Sequence, residues 1–256
     1  MSFDDRLAGL STTFNAVLDL YATMPRIKND QLLHGAFWAF ISSVVGRDLV
    51  MQELRVENIP ASPDEITRRM NEINNLLRST VIGSGLELTG EMIDGILFGM
   101  HVHQSLMIAP RPDIVRDFII SIRQIVNSRN KIIGFDIILV KICEMLELSD
   151  DERLLFRAMH AVATYPPLAI FMSILHHNGN NREDSSLFFA SAVIQEATQT
   201  PEPINLHNLG PKSYSTTVFN IVLGPEKTKL RKYGLMSGNS RFPWYFRLDK
   251  TWASLL

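Results

Sequence analysis

The strongest constraint on the fold of this chain is a signal for the start of a helix that occurs twice. Residues 62–65 read SPDE and residues 149–152 read SDDE. A serine followed three positions later by a glutamate can satisfy the free backbone N–H groups in the first turn of a helix, and a proline fits the first helical position. Apolar residues at intervals of three and four follow both signals. The sequence therefore predicts an all-α fold.

Other residues predict where further helices begin and end. The almost entirely apolar residues 31–45 predict a core helix that Asn29 or Asp30 caps and that Gly46 ends. Pro243 is predicted to begin the last of about ten to twelve helices. After the SPDE signal, the residues predicted to be buried on one helical face are Ile66, Met70, Ile73 and Leu77.

A polar and basic stretch at residues 127–131 is the predicted boundary between two helical lobes. The N-terminal lobe is predicted to span residues 29–127 and the C-terminal lobe residues 128–256. Residues 1–28 form a predicted N-terminal arm, because an amphipathic helix there is set off from the rest by a proline and a polar connector.

The arm carries a narrow apolar stripe, since its large apolar residues alternate at spacings of three and four. These residues are Leu7, Leu10, Phe14 and Val17. Two interpretations stay open. The stripe packs on the core of its own chain, or it docks into a hydrophobic groove on a neighbouring copy.

The sequence contains no pattern that predicts catalysis or metal binding. His101 and His103 are two positions apart and His176 and His177 are adjacent, so neither pair has the spacing of a helical zinc site. The single cysteine, Cys143, excludes a disulfide or a thiolate metal site within one chain. We therefore expect no enzyme, no metal and no cofactor. A helical enzyme without a known motif stays an alternative.

The apolar runs are short and the N-terminus is acidic. The longest runs, Tyr165–Leu175 and Ile132–Val140, fall short of the roughly 18 residues that a membrane span needs. An acidic start differs from the positively charged start of a signal peptide. We expect no membrane insertion and a cytosol-like compartment.

The C-terminal segment combines positive charge with aromatic rings. From Ile221 to Leu256 the chain has seven basic and two acidic residues, so this segment carries a charge of +5 in a chain whose total is −2. Such a segment can bind the phosphates and bases of nucleic acid, whereas a solvated helix surface can have the same composition. Together with the arm, it points to a binding protein that assembles.

Several segments agree in order and spacing with those of a known group of viral proteins. They are Gly46-Arg47-Asp48 with Arg55 after an apolar helix, Glu87-Leu88-Thr89, Ser186-Leu187-Phe188-Phe189, Ala192-Val193-Ile194, Val218-Phe219-Asn220-Ile221 and residues 224–235. In these features the chain resembles the nucleoproteins of segmented negative-strand RNA viruses of the phlebovirus and tenuivirus group.

The resemblance implies a nucleoprotein with two helical lobes and a groove between them for single-stranded genomic RNA, bound without sequence specificity. It further implies a homo-oligomer built by exchange of the N-terminal arm, with a viral polymerase as a further candidate partner. The location it implies is the virion and the host cytoplasm. By the same resemblance, the expected RNA-binding residues are Tyr21 as a stacking ring and Arg47, Arg55, Arg68, Arg69 and Lys212 as phosphate contacts.

The net charge of −2 favours a different function. A whole molecule without excess positive charge does not attract polyanions over long distances. The alternative is therefore a helical viral matrix or adaptor protein that assembles through protein–protein contacts without RNA.

Overall fold

The computed structural model describes residues 13–18, 30–57, 63–81, 88–128, 134–178, 228–239 and 242–248. This part of the chain is predominantly helical, which agrees with the predicted all-α class. Residues 13–18 are helical. The named helices are α1 (Gln31–Val45), α2 (Arg47–Leu54), α3 (Pro63–Val81), α4 (Gly90–Ile108), α5 (Pro112–Ser128), α6 (Gly134–Met145), α7 (Asp150–Thr164), α8 (Pro166–Asn178) and α9 (Lys229–Lys232).

The chain forms two compact units, each assembled from separate stretches. The N-terminal unit consists of Pro25–Gln124 and Tyr165–Asn178. The C-terminal unit consists of Met1–Met24, Ile125–Thr164 and Gly179–Leu256. Thus α8 belongs to the same unit as α1, although α6 and α7, which precede it in sequence, belong to the C-terminal unit. The predicted bounds of the arm and the lobes stay predictions.

Local capping explains where the helices begin and end. The Asp30 carboxylate accepts the backbone N–H groups of Leu32 and Leu33 at 3.0 and 3.1 Å, and Gly46 ends α1 with a φ of 96° that suits glycine. The hydroxyl of Thr89 likewise accepts a backbone N–H group at the start of α4. The predicted start of α3 at Pro63 is also confirmed.

The centre of the N-terminal unit is the crossing of α1 and α4. A Cβ atom added at Gly99 would meet the carbonyl oxygen of Gly35 and would lie 2.8 Å from the backbone nitrogen of Ala39. A Cβ added at Gly35 would lie 2.5 Å from the side chain of Met100. Because the two glycines have no side chains, the backbones of the two helices are in direct contact, and α4 covers one side of the core helix.

Aromatic side chains fill the rest of this core. Trp38 and Phe37 of α1 are buried, and their rings lie 6.3 Å from Phe118 of α5 and 6.0 Å from Phe171 of α8, measured between centroids. Tyr165, just before α8, donates its hydroxyl hydrogen bond to Ser43 at 2.7 Å. The α8 helix is therefore packed on α1 by both apolar and polar contacts.

The predicted buried face of α3 is correct in its C-terminal half. Ile73 and Leu77 are buried, whereas Met70 is partly exposed. Ile66 is 37% exposed, so its predicted burial is wrong. Helical spacing places these residues on one face, but only the extent of the neighbouring helices decides how much of that face is covered.

In the C-terminal unit one buried carboxylate joins two helix starts. Glu152 accepts the backbone N–H of Ser149 at 3.0 Å through one oxygen and that of Lys229 at 2.7 Å through the other. The Ser149 hydroxyl in turn accepts the Glu152 N–H, which completes the predicted capping box. The same side chain thereby holds α9 against the start of α7.

A short β-hairpin follows α9. Gly234 ends this helix at a φ of 67°, and β1 (Met236–Asn239) then pairs antiparallel with β2 (Phe242–Leu248). The prediction that Pro243 begins a helix is wrong. The aromatic run that follows this proline has high strand propensity, and a proline fits the start of a strand as well as the start of a helix.

Among the described residues, no single helix is long and apolar enough to cross a membrane. One pair of consecutive segments, Asp150–Ala163 and Pro166–Leu175, meets the criteria of length and composition only when the two are taken together.

Candidate nucleic-acid interface

Arg47 begins α2 and is held against α4. Its guanidinium pairs with the Asp94 carboxylate at 2.6 Å and lies 5.1 Å from the centre of the Phe98 ring. The side chains of Arg47 and Asp94 remain 43% and 46% exposed. The charge of this predicted RNA-binding residue is therefore matched by a carboxylate, although both side chains can be reached from solvent.

Arg55 lies at the other end of α2, about 12 Å away along the helix axis for eight residues. Its backbone adopts the left-handed conformation, with φ 53° and ψ 43°. The side chain is exposed and makes no ion pair with a carboxylate among the described residues. Arg55 thus differs from Arg47, whose charge is matched by Asp94.

Two further basic side chains fix the turn that ends α2. The Nη1 group of Arg111 donates to the carbonyl oxygens of Leu54 and Arg55, at 3.4 and 3.0 Å. His101 Nε2 donates to the carbonyl oxygen of Glu57 at 2.8 Å. Sequence reasoning missed Arg111 and this role of His101, because residues about fifty positions apart meet here. The prolines on both sides of Arg111 indicated a restricted backbone at this position, but not where its side chain would lie.

Arg68 and Arg69 lie on the exposed surface of α3. Arg68 pairs with Glu72, one turn further along the helix, at 2.8 Å, and the two side chains are 60% and 61% exposed. Arg69 is also exposed. These two arginines share a helix with each other but not with Arg47 and Arg55.

Four predicted residues fall outside the part that the structure describes: Tyr21, Lys212, Leu7 and Leu10. Phe14 and Val17 are described, and both are completely buried within their own chain. This burial agrees with the interpretation that the stripe packs on the core of its own chain. Docking of the stripe on a neighbouring copy stays a prediction.

The basic C-terminal segment is partly engaged in contacts within the chain. Lys229 donates its ammonium hydrogen bonds to the backbone carbonyl and to the carboxylate of Glu147. The Lys232 ammonium lies 5.6 Å from the centre of the Tyr233 ring. Since Lys229 stabilises the end of α6, it is a weaker candidate for a phosphate contact than Arg55.

A buried histidine pair lies between α1 and α4. The rings of His34 and His103 are stacked, with their centroids 3.9 Å apart and their planes within 5°. Burial, and to a lesser extent the neighbouring His34, lowers the pKa of His103 to about 4. Stacked rings direct their nitrogen lone pairs in parallel planes, so the pair cannot converge on one ion. No group of three or more potential metal ligands occurs among the described residues.

These features define a helical protein with exposed arginines on α2 and α3. Comparison with known proteins adds no relative: the chain matches no protein-family model, no curated protein and no solved structure.

Proposed function

We propose that this chain is a viral nucleoprotein that binds single-stranded RNA without sequence specificity and oligomerises into a ribonucleoprotein in the virion and the host cytoplasm. The observation that carries the proposal is Arg55. It lies in the segment that resembles the RNA-contacting segment of the nucleoprotein family, and its exposed guanidinium has no carboxylate partner among the described residues. A guanidinium in this state favours a phosphate oxygen as its ligand.

Arg47 and Arg68 contribute to RNA binding by exchanging partners. Each is paired with a carboxylate at a solvent-accessible site, Asp94 and Glu72 respectively. Exposed ion pairs stabilise a protein by only about 0–1 kcal/mol, so a phosphate can replace the carboxylate at little cost. Each neutralised phosphate adds about −0.7 to the slope of log affinity against log salt concentration. Arg69, Tyr21 and Lys212 complete the proposed set.

Oligomerisation occurs in this proposal by exchange of the N-terminal arm. Phe14 and Val17 are buried in their own chain, and an identical site exists on every copy. A segment can leave its own site and fill that of a neighbour at low net cost, because the same contacts form again. Leu7 and Leu10 extend the exchanged stripe.

The test is whether the purified protein carries RNA. Protein washed at high salt is compared, before and after nuclease treatment, by its absorbance ratio at 260 and 280 nm and by light scattering after size exclusion. For a nucleoprotein we expect an absorbance at 260 nm that exceeds that of protein alone and that falls after nuclease treatment, together with a mass of several protomers. A protein-like ratio in every preparation contradicts the proposal. Deletion of residues 1–24 is expected to reduce the mass to that of one protomer.

A matrix or adaptor protein that assembles without RNA is the second candidate. It is favoured by the apolar end of α4, where Met107 and Ile108 are 59% and 77% exposed. Adjacent exposed apolar side chains of this size often mark contacts with other proteins. Oligomers that persist after nuclease treatment with a protein-like absorbance ratio would favour this function.

A further inference from the structure

The backbone at Arg111 is fixed on both sides. Pro110 and Pro112 restrict the dihedral angles around it. The Arg111 carbonyl oxygen accepts the N–H of Val115 at 3.0 Å, which places Arg111 at the N-cap of α5. A backbone that is already fixed in this way loses less conformational entropy when its side chain binds a ligand.

The side chain of Arg111 is also held in place, yet only one of its three guanidinium nitrogens makes the hydrogen bonds that hold it. Both of its hydrogen bonds, to the carbonyl oxygens of Leu54 and Arg55, come from Nη1. The Nε and Nη2 groups make no hydrogen bond to the described residues, and the side chain is partly exposed. These groups form an edge with two donors, the arrangement that binds two oxygens of one phosphate.

The two guanidinium groups at this end of α2 are not in direct contact with carboxylates of the described residues. Neither Arg55 nor Arg111 pairs with a carboxylate among the described residues, although Glu53 and Glu57 flank Arg55 in sequence. Arg116, further along α5, is paired with two aspartates. The carbonyl end of a helix carries only about half a negative charge, which attracts a guanidinium group but does not take the place of a carboxylate in direct contact with it.

We propose that Arg111 is an RNA-binding residue and that Arg111 and Arg55 together hold the backbone phosphates of single-stranded RNA at the C-terminal end of α2. This inference rests on the proposed function and adds to it a residue that neither the resemblance nor the spacing of the sequence indicates. In this arrangement Arg111 is the fixed donor, and Arg55, whose side chain makes no hydrogen bond or ion pair with the described residues, closes over the phosphate from the exposed side.

The experiment measures binding of a fluorescein-labelled oligouridylate to the full chain by anisotropy at several salt concentrations. Arg111→Gln and Arg55→Gln are each expected to weaken binding several-fold and to reduce the magnitude of the log–log salt slope by about 0.7. Arg116→Gln is the control for loss of one positive charge and is expected to leave the slope unchanged. Arg111→Lys is expected to restore the slope while binding stays weaker, because an ammonium lacks the planar fork.

The possible results distinguish failure of this inference from failure of the proposed function. If the unmodified protein binds and all three glutamine variants keep its slope, the inference is overturned and the proposed function stands. If the unmodified protein does not bind at any salt concentration, both fail. Loss of the end of α2 in Arg111→Gln would appear as a lower melting temperature. In that case Arg55→Gln decides, because the Arg55 side chain makes no hydrogen bond or ion pair with the described residues; an unchanged salt slope in that variant also overturns the inference.

Discussion

Gly99 of α4 and Gly35 of α1 bring two helix backbones into direct contact, because a Cβ atom at Gly99 would collide with the carbonyl oxygen of Gly35. The same Cβ would lie 2.8 Å from the backbone nitrogen of Ala39. Backbone atoms cannot move aside as the end of a flexible side chain can. The separation of these helices therefore depends on the absence of a side chain at position 99.

We expect Gly99→Ala to lower the free energy of unfolding by about 2 kcal/mol or more, since an overpacked core shifts its backbone. Urea denaturation followed by circular dichroism measures the change. Gly90→Ala is the matched control in the same helix, because a Cβ added there has no neighbour within 4 Å. It should be neutral or slightly stabilising. Equal effects of the two substitutions would contradict the close crossing.

Arg55→Gly is expected to stabilise the chain. The left-handed conformation of Arg55 is unfavourable by about 1–2 kcal/mol for a residue with a Cβ atom, and glycine adopts it freely. After the larger entropy loss of glycine on folding, we expect a gain of roughly 0.5 kcal/mol in the free energy of unfolding. Gln52→Gly, inside the same helix, should instead lower it by about 1 kcal/mol. Chemical denaturation of both variants measures whether the two changes in the free energy of unfolding have opposite signs.

The same Arg55→Gly variant distinguishes stability from RNA binding. A more stable protein that binds RNA less well would show that the arginine is present for its charge and not for the fold. A decrease in both properties would indicate that the side chain supports the end of α2, although it makes no hydrogen bond or ion pair with the described residues.

Stability is expected to fall as the pH is lowered from 7 to 5. Burial lowers the pKa of His160, and burial together with His34 lowers that of His103, in each case from 6.5 to about 4. Between pH 6.5 and 4 the unfolded chain therefore binds more protons than the folded chain, and folding becomes less favourable. Each histidine contributes a loss of about 2 kcal/mol at pH 5 relative to pH 7. Urea denaturation at several pH values measures the slope.

His103→Phe is the variant that tests this pH dependence, because it keeps a flat ring beside His34 and removes one titrating group. We expect its loss of stability between pH 7 and 5 to be smaller than that of the unmodified protein by about 2 kcal/mol. If the free energy of unfolding of this variant depends on pH as that of the unmodified protein does, His103 is protonated in the folded chain at pH 5.

Glu152→Ala is expected to loosen both helix starts that this carboxylate joins. The backbone N–H groups of Ser149 and Lys229 would lose their acceptor, and we expect the free energy of unfolding to fall by about 2–3 kcal/mol. Hydrogen exchange followed by mass spectrometry should show faster exchange in peptides that contain these two residues. Glu144→Ala, at an exposed position in α6, is the control and should change stability by less than about 0.5 kcal/mol.

The features that the sequence predicted correctly depend on residues close together in the chain. Asp30 caps α1 through residues two and three positions away, and Ser149 and Glu152 cap each other within one turn. Such contacts follow from spacing alone, so the starts of α1, α3 and α7 could be located without a structure.

The features that the sequence did not predict depend on residues far apart. The contact of Arg111 with Arg55 joins two helices across an intervening pair, and these residues, 56 positions apart in the chain, meet only in the folded protein. The exposure of Ile66 likewise depends on how far its neighbours extend. For Pro243 the local signal was ambiguous, and pairing of β2 with β1 decided the outcome.

The assignment of α8 to the N-terminal unit bears on how the chain folds during synthesis. The ribosome completes α1 to α5 well before it reaches Asn178, the last residue of that unit. At about 5–20 residues per second, the fifty residues between α5 and the end of α8 take several seconds to appear. Until then the side of α1 that carries Phe37 lacks its partner Phe171. The nascent chain consequently exposes core aromatic surface in this interval, when a chaperone or a premature contact with another chain can capture it.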